Sequence, residues 1–315
     1  MKEPTAASGS TARGRRVRRI LIGVAIALVV VAGLVYLGIG AIAASELTLP
    51  DRKTPVDDAL VSRGIAFEAV SLPARDDGVE IAGWFVPAED AAEAIVLVHG
   101  RNQCRSAEFG GAFLDLAAAL HDGGFAVLAI DLRGHGESGE GRFSFGLHER
   151  RDVLGAVDWL EGRGFEPGNI GLLGVSLGAA SAVGAAADDA RIGALVTDSG
   201  FADIFPVIEG RWEEESGLPQ VFVYSARLMV RLLFGYDVGA SRPVDEIGSI
   251  PPRPLLMIHC QGDSTVPMAQ LEEMRAAAPG ALVWIVPGCE HARAYGADPE
   301  AYEERVIRFF DENLR

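Results

Sequence analysis

A chain of 315 residues holds one large domain or two small ones, and with 49% hydrophobic and 23% charged residues it can bury a real core. The net charge of −16 is unevenly shared, because residues 1–44 carry +5 and the other 271 residues carry −21. So acidic a body repels phosphate backbones and anionic lipid surfaces, which makes nucleic acid a poor partner.

The first 19 residues read as a basic tail, with residues 1–12 small, polar and disordered, and Arg13, Arg15, Arg16, Arg18 and Arg19 at its end. Ile20 to Ala44 then contains no charge. Twenty-five helical residues at about 1.5 Å each exceed a hydrocarbon core of roughly 30 Å, so the run is long enough to span one. Arginines before it, with Glu46 and Asp51 after it, predict a single-pass anchor in the cell membrane. Its N-terminus would be cytoplasmic and the body outside. The small residues Ala41 to Ala43 offer the competing reading, a signal peptide cleaved to release a secreted protein.

Residues 45–65 read as a linker, and residues 66–315 as one domain. Two strand-like runs around Arg75-Asp76-Asp77-Gly78 predict an antiparallel hairpin, since Asp-Gly is a turn signal. Beyond it, strands alternate with helices. Apolar runs at 94–100, 125–131, 169–175, 192–198, 254–260 and 281–287 read as buried parallel strands. Helices are expected at Phe113 to Leu120, at Gly146 to Leu160 with Val153, Leu154, Val157 and Leu160 inward, after Ser176, and from Pro299 to Leu314. The fold class is α/β, a doubly wound and mostly parallel sheet opened by a hairpin. Residues 200–250 break the rhythm and read as a helical cap insertion. Its Phe222, Leu228, Met229, Leu232 and Leu233 either line an acyl pocket or pack the cap on the core.

Chemistry in such a sheet gathers at the carboxyl ends of the strands. The stretch Gly174-Val175-Ser176-Leu177-Gly178 has the G-x-S-x-G spacing of a strained strand-to-helix turn that lifts a serine hydroxyl off the sheet. A serine hydroxyl needs a neutral imidazole beside it, and the imidazole needs a carboxylate. His291 follows the last strand and Asp263 the one before it, so Ser176, Asp263 and His291 are the candidate triad. Asp198, at another strand end, is the rival acid. The backbone N–H groups of Leu177 and Arg101 are the candidate oxyanion donors. His99, His135 and His259 read as structural, His121 and His148 as surface, and Asp131 and Asp152 as loop-ordering residues. Three cysteines make no framework, and without a C-x-x-C pair a zinc site is not expected. Cys260 and Cys289 are either bridged or buried free thiols.

From about Phe67 to Leu314 the chain resembles serine hydrolases of the α/β-hydrolase superfamily, through "VLVHGRNQCRS", "AIDLRGHGESG", "IGLLGVSLGAA", "HCQGDSTVP" and "GCEHARAYGADPEAY". Within it the chain is most similar to a membrane-anchored or exported bacterial group that also resembles acyl-CoA thioesterase and acyltransferase-type hydrolases. The resemblance implies Ser176 as nucleophile, His291 as base, Asp263 as its acid, and an oxyanion hole from Arg101 and Leu177. It also implies a small-molecule acyl substrate and no cofactor or metal. Cys260 with Gln261, where relatives usually carry Gly, is a departure from the pattern. A carboxylesterase is the expected activity, with a peptidase, an acyltransferase or a non-catalytic binding domain as alternatives.

Overall fold

The computed structural model describes residues 9–314, with side chains from residue 13 onward. Residues 1–8, most of the expected disordered tail, lie outside the described residues. A 40-residue helix, α1 (Gly9–Thr48), runs about 60 Å at 1.5 Å per residue. It is long and apolar enough to cross a membrane, and its side chains from Val17 to Val35 are exposed.

This helix is longer at both ends than the charge-free run. Residues 9–19 are helical, and so are residues 45–48 of the expected linker. The body holds the second extension: Ala44 and Thr48 are fully buried, and Thr48 Oγ1 donates to the Ala44 carbonyl. Arg142 donates to the Ser45 carbonyl and to Thr48 Oγ1, satisfying groups at a helix end that lacks its own partners. Pro50 then prevents continuation. The rest of the expected linker includes a short helix, α2 (Asp58–Ser62), seated through Leu60.

The hairpin is β1 (Glu68–Pro73) and β2 (Glu80–Val86). After it come β3 (Ala94–Val98), α3 (Phe113–Asp122), β4 (Ala126–Ile130), α4 (Arg150–Gly162), β5 (Ile170–Val175), α5 (Leu177–Asp188) and β6 (Ile192–Asp198). The insertion contributes α6 (Ile204–Ser216), α7 (Val221–Phe234) and short 3-10 turns. The chain closes with β7 (Leu255–Cys260), α8 (Met268–Ala277), β8 (Leu282–Val286), α9 (Ala294–Ala297) and α10 (Pro299–Leu314). The eight strands are ordered β1-β2-β4-β3-β5-β6-β7-β8; pairs through β2 are antiparallel and those from β4 to β8 parallel.

Period-2 alternation of buried strands feeds two apolar layers. Val96 and Val98 of β3 face the layer containing α4, α5, α8 and the cap, while Ile95 and Leu97 face the layer containing α2, α3 and α10. Helix α4 starts at Arg150 rather than at Gly146, because the Glu149 carboxylate accepts from Ser144 N, Gly146 N and Ser144 Oγ and holds those residues as a loop.

Candidate active site

Ser176 joins β5 to α5 with φ 53° and ψ −111°, a left-handed conformation that L-residues avoid. Three local features hold it there. Ser176 N donates to the Asp198 carbonyl at 2.8 Å. A Cβ on Gly178 would stand 2.3 Å from the Val98 carbonyl oxygen, and one on Gly174 would stand 2.3 Å from the Gly178 carbonyl oxygen. Backbone fills both places, so the glycines are required by close approach rather than by flexibility.

The structure brings Ser176, His291 and Asp263 together. Ser176 Oγ lies 2.9 Å from His291 Nε2, and His291 Nδ1 lies 2.8 Å from Asp263 Oδ2. The carboxylate accepts at Nδ1, leaving Nε2 free to accept the serine proton. Asp263 is itself fixed: its Oδ1 accepts from Thr265 N at 2.9 Å and Val266 N at 2.7 Å. Asp198 stands elsewhere. Its carboxyl, pushed up to about 7 by complete burial, accepts from Ser199 Oγ and Tyr302 OH. Ser199 Oγ in turn accepts from Ala292 N, so Asp198 braces the His291 loop from beneath.

Arg101 and Leu177 line the same cavity as Ser176 and His291. A Cβ on Gly100 would lie 3.3 Å from Ser176 Cβ, so the turn carrying Arg101 passes directly beside the serine. The Arg101 side chain points to the cap and pairs with Glu215 at 3.1 Å. Two neutral histidines secure this turn. His99 Nδ1 donates to Gly100 O and its Nε2 accepts from Leu132 N, while His135 Nδ1 donates to Arg133 O and its Nε2 accepts from Asn102 N. Burial holds both imidazoles below their ordinary range, His99 well below it. His259 is buried too, donating to the Val266 carbonyl from a position 3.7 Å from Asp263. His121, expected at the surface, is half-buried beside Asp122. His148, expected at the surface, is half-buried, because its ring packs edge-on against Tyr236 at 5.0 Å. Asp131 and Asp152 both order loops, through Arg105 and Arg133 respectively.

Glu108 was not legible as a site residue. It lines the cavity, is buried, and accepts the Gly100 N–H at 2.6 Å, with burial pushing its carboxyl up. It sits in a loop with no motif spacing, so only tertiary structure reveals it. Cys260 and Cys289 are bridged, with their Cα atoms 5.2 Å apart. The bridge explains the departure at Cys260 and ties the loop of Asp263 to the loop of His291. It closes a 29-residue separation, for which loop entropy contributes about 3–4 kcal/mol. Replacing both cysteines by serine is therefore expected to lower the unfolding free energy read from urea denaturation by that amount, with a lower midpoint; an unchanged midpoint would show that the bridge constrains little.

The cavity holds about 1060 Å³. Its cap wall comes chiefly from α6, through apolar Ile204, Val207, Ile208 and Trp212 and polar Arg211 and Glu215. None of Phe222, Leu228, Met229, Leu232 and Leu233 lines it. Helix α7 turns toward α1 instead: Phe222 packs on the Tyr36 ring at 5.4 Å, Met229 touches the core, and the three leucines are exposed.

A sequence profile described as the Alpha/beta hydrolase family matches residues 95–305, two thirds of the chain, including every residue of the site just described. The chain belongs to the alpha/beta hydrolase family. YqkD of Bacillus subtilis is 30% identical to this alpha/beta hydrolase, over 74% of the chain and 76% of that protein. YfhR of Escherichia coli K12 is 28% identical, over 90% of the chain and 92% of that protein. Among solved structures, an esterase from Pyrococcus furiosus superposes with a TM-score of 0.67 at 22% identity, covering 85% of this chain and 99% of that one. At that identity the likeness speaks to the fold alone.

Proposed function

We propose that this alpha/beta hydrolase is a membrane-tethered serine hydrolase that cleaves a carboxylic ester or related acyl bond. The observation that carries the reading is the continuous hydrogen-bonded line from Ser176 Oγ through His291 to Asp263, on a backbone turn strained at the serine. Ser176 Oγ attacks the acyl carbon while His291 Nε2 takes its proton, and Asp263 stabilises the imidazolium. The Leu177 and Arg101 N–H groups hold the oxyanion, aided by the positive end of α5. His291 returns the proton to the leaving alcohol. Water, activated by the same imidazole, then releases the acid and regenerates the serine. In this large cavity α6 sets an apolar strip of Ile204, Val207, Ile208 and Trp212 beside the ion-paired Arg211 and Glu215, and the strip suits an acyl chain.

One observation supports tethering over cleavage, and two support the orientation. The stretch of α1 before such a cut is itself seated on the body, with Ala43 buried and Tyr36 OH donating to the Val221 carbonyl of α7, so cutting behind Ala43 would strip a packed element. The five arginines before the apolar run favour a cytoplasmic N-terminus, and a disulfide suits a body facing an oxidising compartment.

The full chain in detergent, treated with a fluorophosphonate, is expected to gain one adduct, mapped by peptide mass to Ser176 and absent after heat denaturation. A folded protein that never labels, or labels elsewhere, would overturn the reading.

A further inference from the structure

The walls of the cavity are not all contributed by the hydrolase body. Ile39, Ile42, Ala43, Glu46 and Leu47 of α1 line it together with the cap residues, with Ile42 69% exposed at its rim. Ile39, Ile42 and Ala43 belong to the charge-free run itself. Counting from Ile20, just after the last arginine, about 30 Å of helical rise brings the chain to Ile39 and Gly40. The far boundary of a hydrocarbon core placed on this run therefore falls where the cavity wall begins.

Helix α7 reaches the same level. Tyr36 OH donates to the Val221 carbonyl at 2.8 Å, and a Cβ on Gly40 would collide with Ser225 at 2.5 Å. Further along, Arg142 joins Ser45 and Thr48 of α1 to the Phe234 ring at the end of α7. The two helices thus run side by side in the same direction. The outer face of α7 leaves Val221, Tyr224, Leu228, Leu232 and Leu233 from 44% to 65% exposed. Such apolar exposure is costly in water; Val221, Tyr224 and Tyr36 stand at the level of the bilayer boundary, and Leu228 follows one turn beyond it.

Resting on the serine-hydrolase reading, we infer that the substrate is a long-chain acyl ester resident in the leaflet next to the body. It enters the cavity alongside α1 without passing through water. The acyl chain lies against Ile39, Ile42 and Leu47, and the ester reaches Ser176. An amphiphile of this kind loses its chain contacts with lipid and regains them from the α1 and α6 walls, so little apolar surface is hydrated on the way.

The test uses the full chain reconstituted in phosphatidylcholine vesicles containing dioleoylglycerol, mixed with protein-free vesicles whose lipids carry a different isotope. Oleate is expected to come from the enzyme's own vesicles at least tenfold faster than from the added ones. The Ile42→Trp variant, which narrows the α1 wall, is expected to lower the ratio of long-chain to butyrate ester kcat/KM at least tenfold. Equal release from both vesicle populations, no release while p-nitrophenyl butyrate is cleaved, or an unchanged chain-length ratio would each overturn the inference and leave the serine-hydrolase reading standing. If no ester is cleaved and Ser176 never labels, the catalytic reading falls and this inference falls with it.

Discussion

Replacing Ser176 by alanine is expected to lower kcat on an ester by about 10⁵-fold or more, at nearly unchanged stability. The substitution removes only Oγ, the single atom that meets His291 Nε2, and it keeps the Cβ that packs beside Gly100. The positive φ at this position strains serine and alanine alike, so the backbone has no reason to move. What remains is whatever the oxyanion donors and the cavity contribute to attack by water. Asp263→Asn is expected to lose about 10⁴-fold, because an amide facing Nδ1 no longer enforces the tautomer that presents a lone pair to the serine. Adding Asp263→Asn to Ser176→Ala should cost little further, since the residues act as a unit. Steady-state kinetics with p-nitrophenyl butyrate, beside thermal unfolding of each variant, checks this. A Ser176→Ala protein retaining more than about a tenth of the parent kcat would remove serine from the mechanism.

The largest expected stability effect lies outside the triad, at Arg105→Met. Arg105 and Asp131 are 2% and 0% exposed, and the guanidinium bonds the Asp131 carboxylate while lying 4.2 Å over the Trp84 ring. Asp131 also accepts from Arg105 N at 2.7 Å and Glu137 N at 2.9 Å, which joins the loop after β3 to the loop after β4. Methionine fills the space but leaves a buried carboxylate without its cation, a loss of about 3–5 kcal/mol. The deficit should depend on pH in a definite direction. Burial already raises the Asp131 carboxyl above its ordinary value, and loss of the guanidinium raises it further. A carboxyl raised in the folded state binds its proton more tightly there than in the unfolded chain, so stability falls as pH rises through that range. Urea midpoints for the variant are therefore expected to improve from about pH 8 to about pH 5, relative to the parent. A deficit that grows on acidification would show that the Asp131 carboxyl is not the destabilised group.

The parts of the molecule that sequence revealed are those with a local signature. Gly174 and Gly178 mark the elbow because nothing larger than hydrogen fits against the neighbouring backbone. Asp263 and His291 could be assigned because strand ends on one edge of a parallel sheet must converge. Glu108 carries no such mark, since what makes it unusual is its proximity to Gly100 in space. The orientation of α7 was hidden for a different reason. Leu228, Leu232 and Leu233 read the same whether they meet a protein core, an acyl chain or lipid, because all three are equally apolar. The pattern identified an apolar helix but not its neighbour, and that neighbour turned out to be α1, an element the alternation of strands and helices sets apart from the body. Helix α1 itself was recognised by composition, and its role as a cavity wall was not, because hydropathy describes what a segment avoids rather than what it touches.

On the proposed reading of α1 as a membrane anchor, its place at the cavity would change what a proteolytic cut there means. In most tethered proteins, cutting the stalk alters where the molecule goes and leaves what it does intact. Here a cut behind Ala43 would take Ile39, Ile42 and Ala43 away and leave one side of the cavity open to solvent. If the proposed acyl-ester activity holds, release and a change of chain-length preference would be one event.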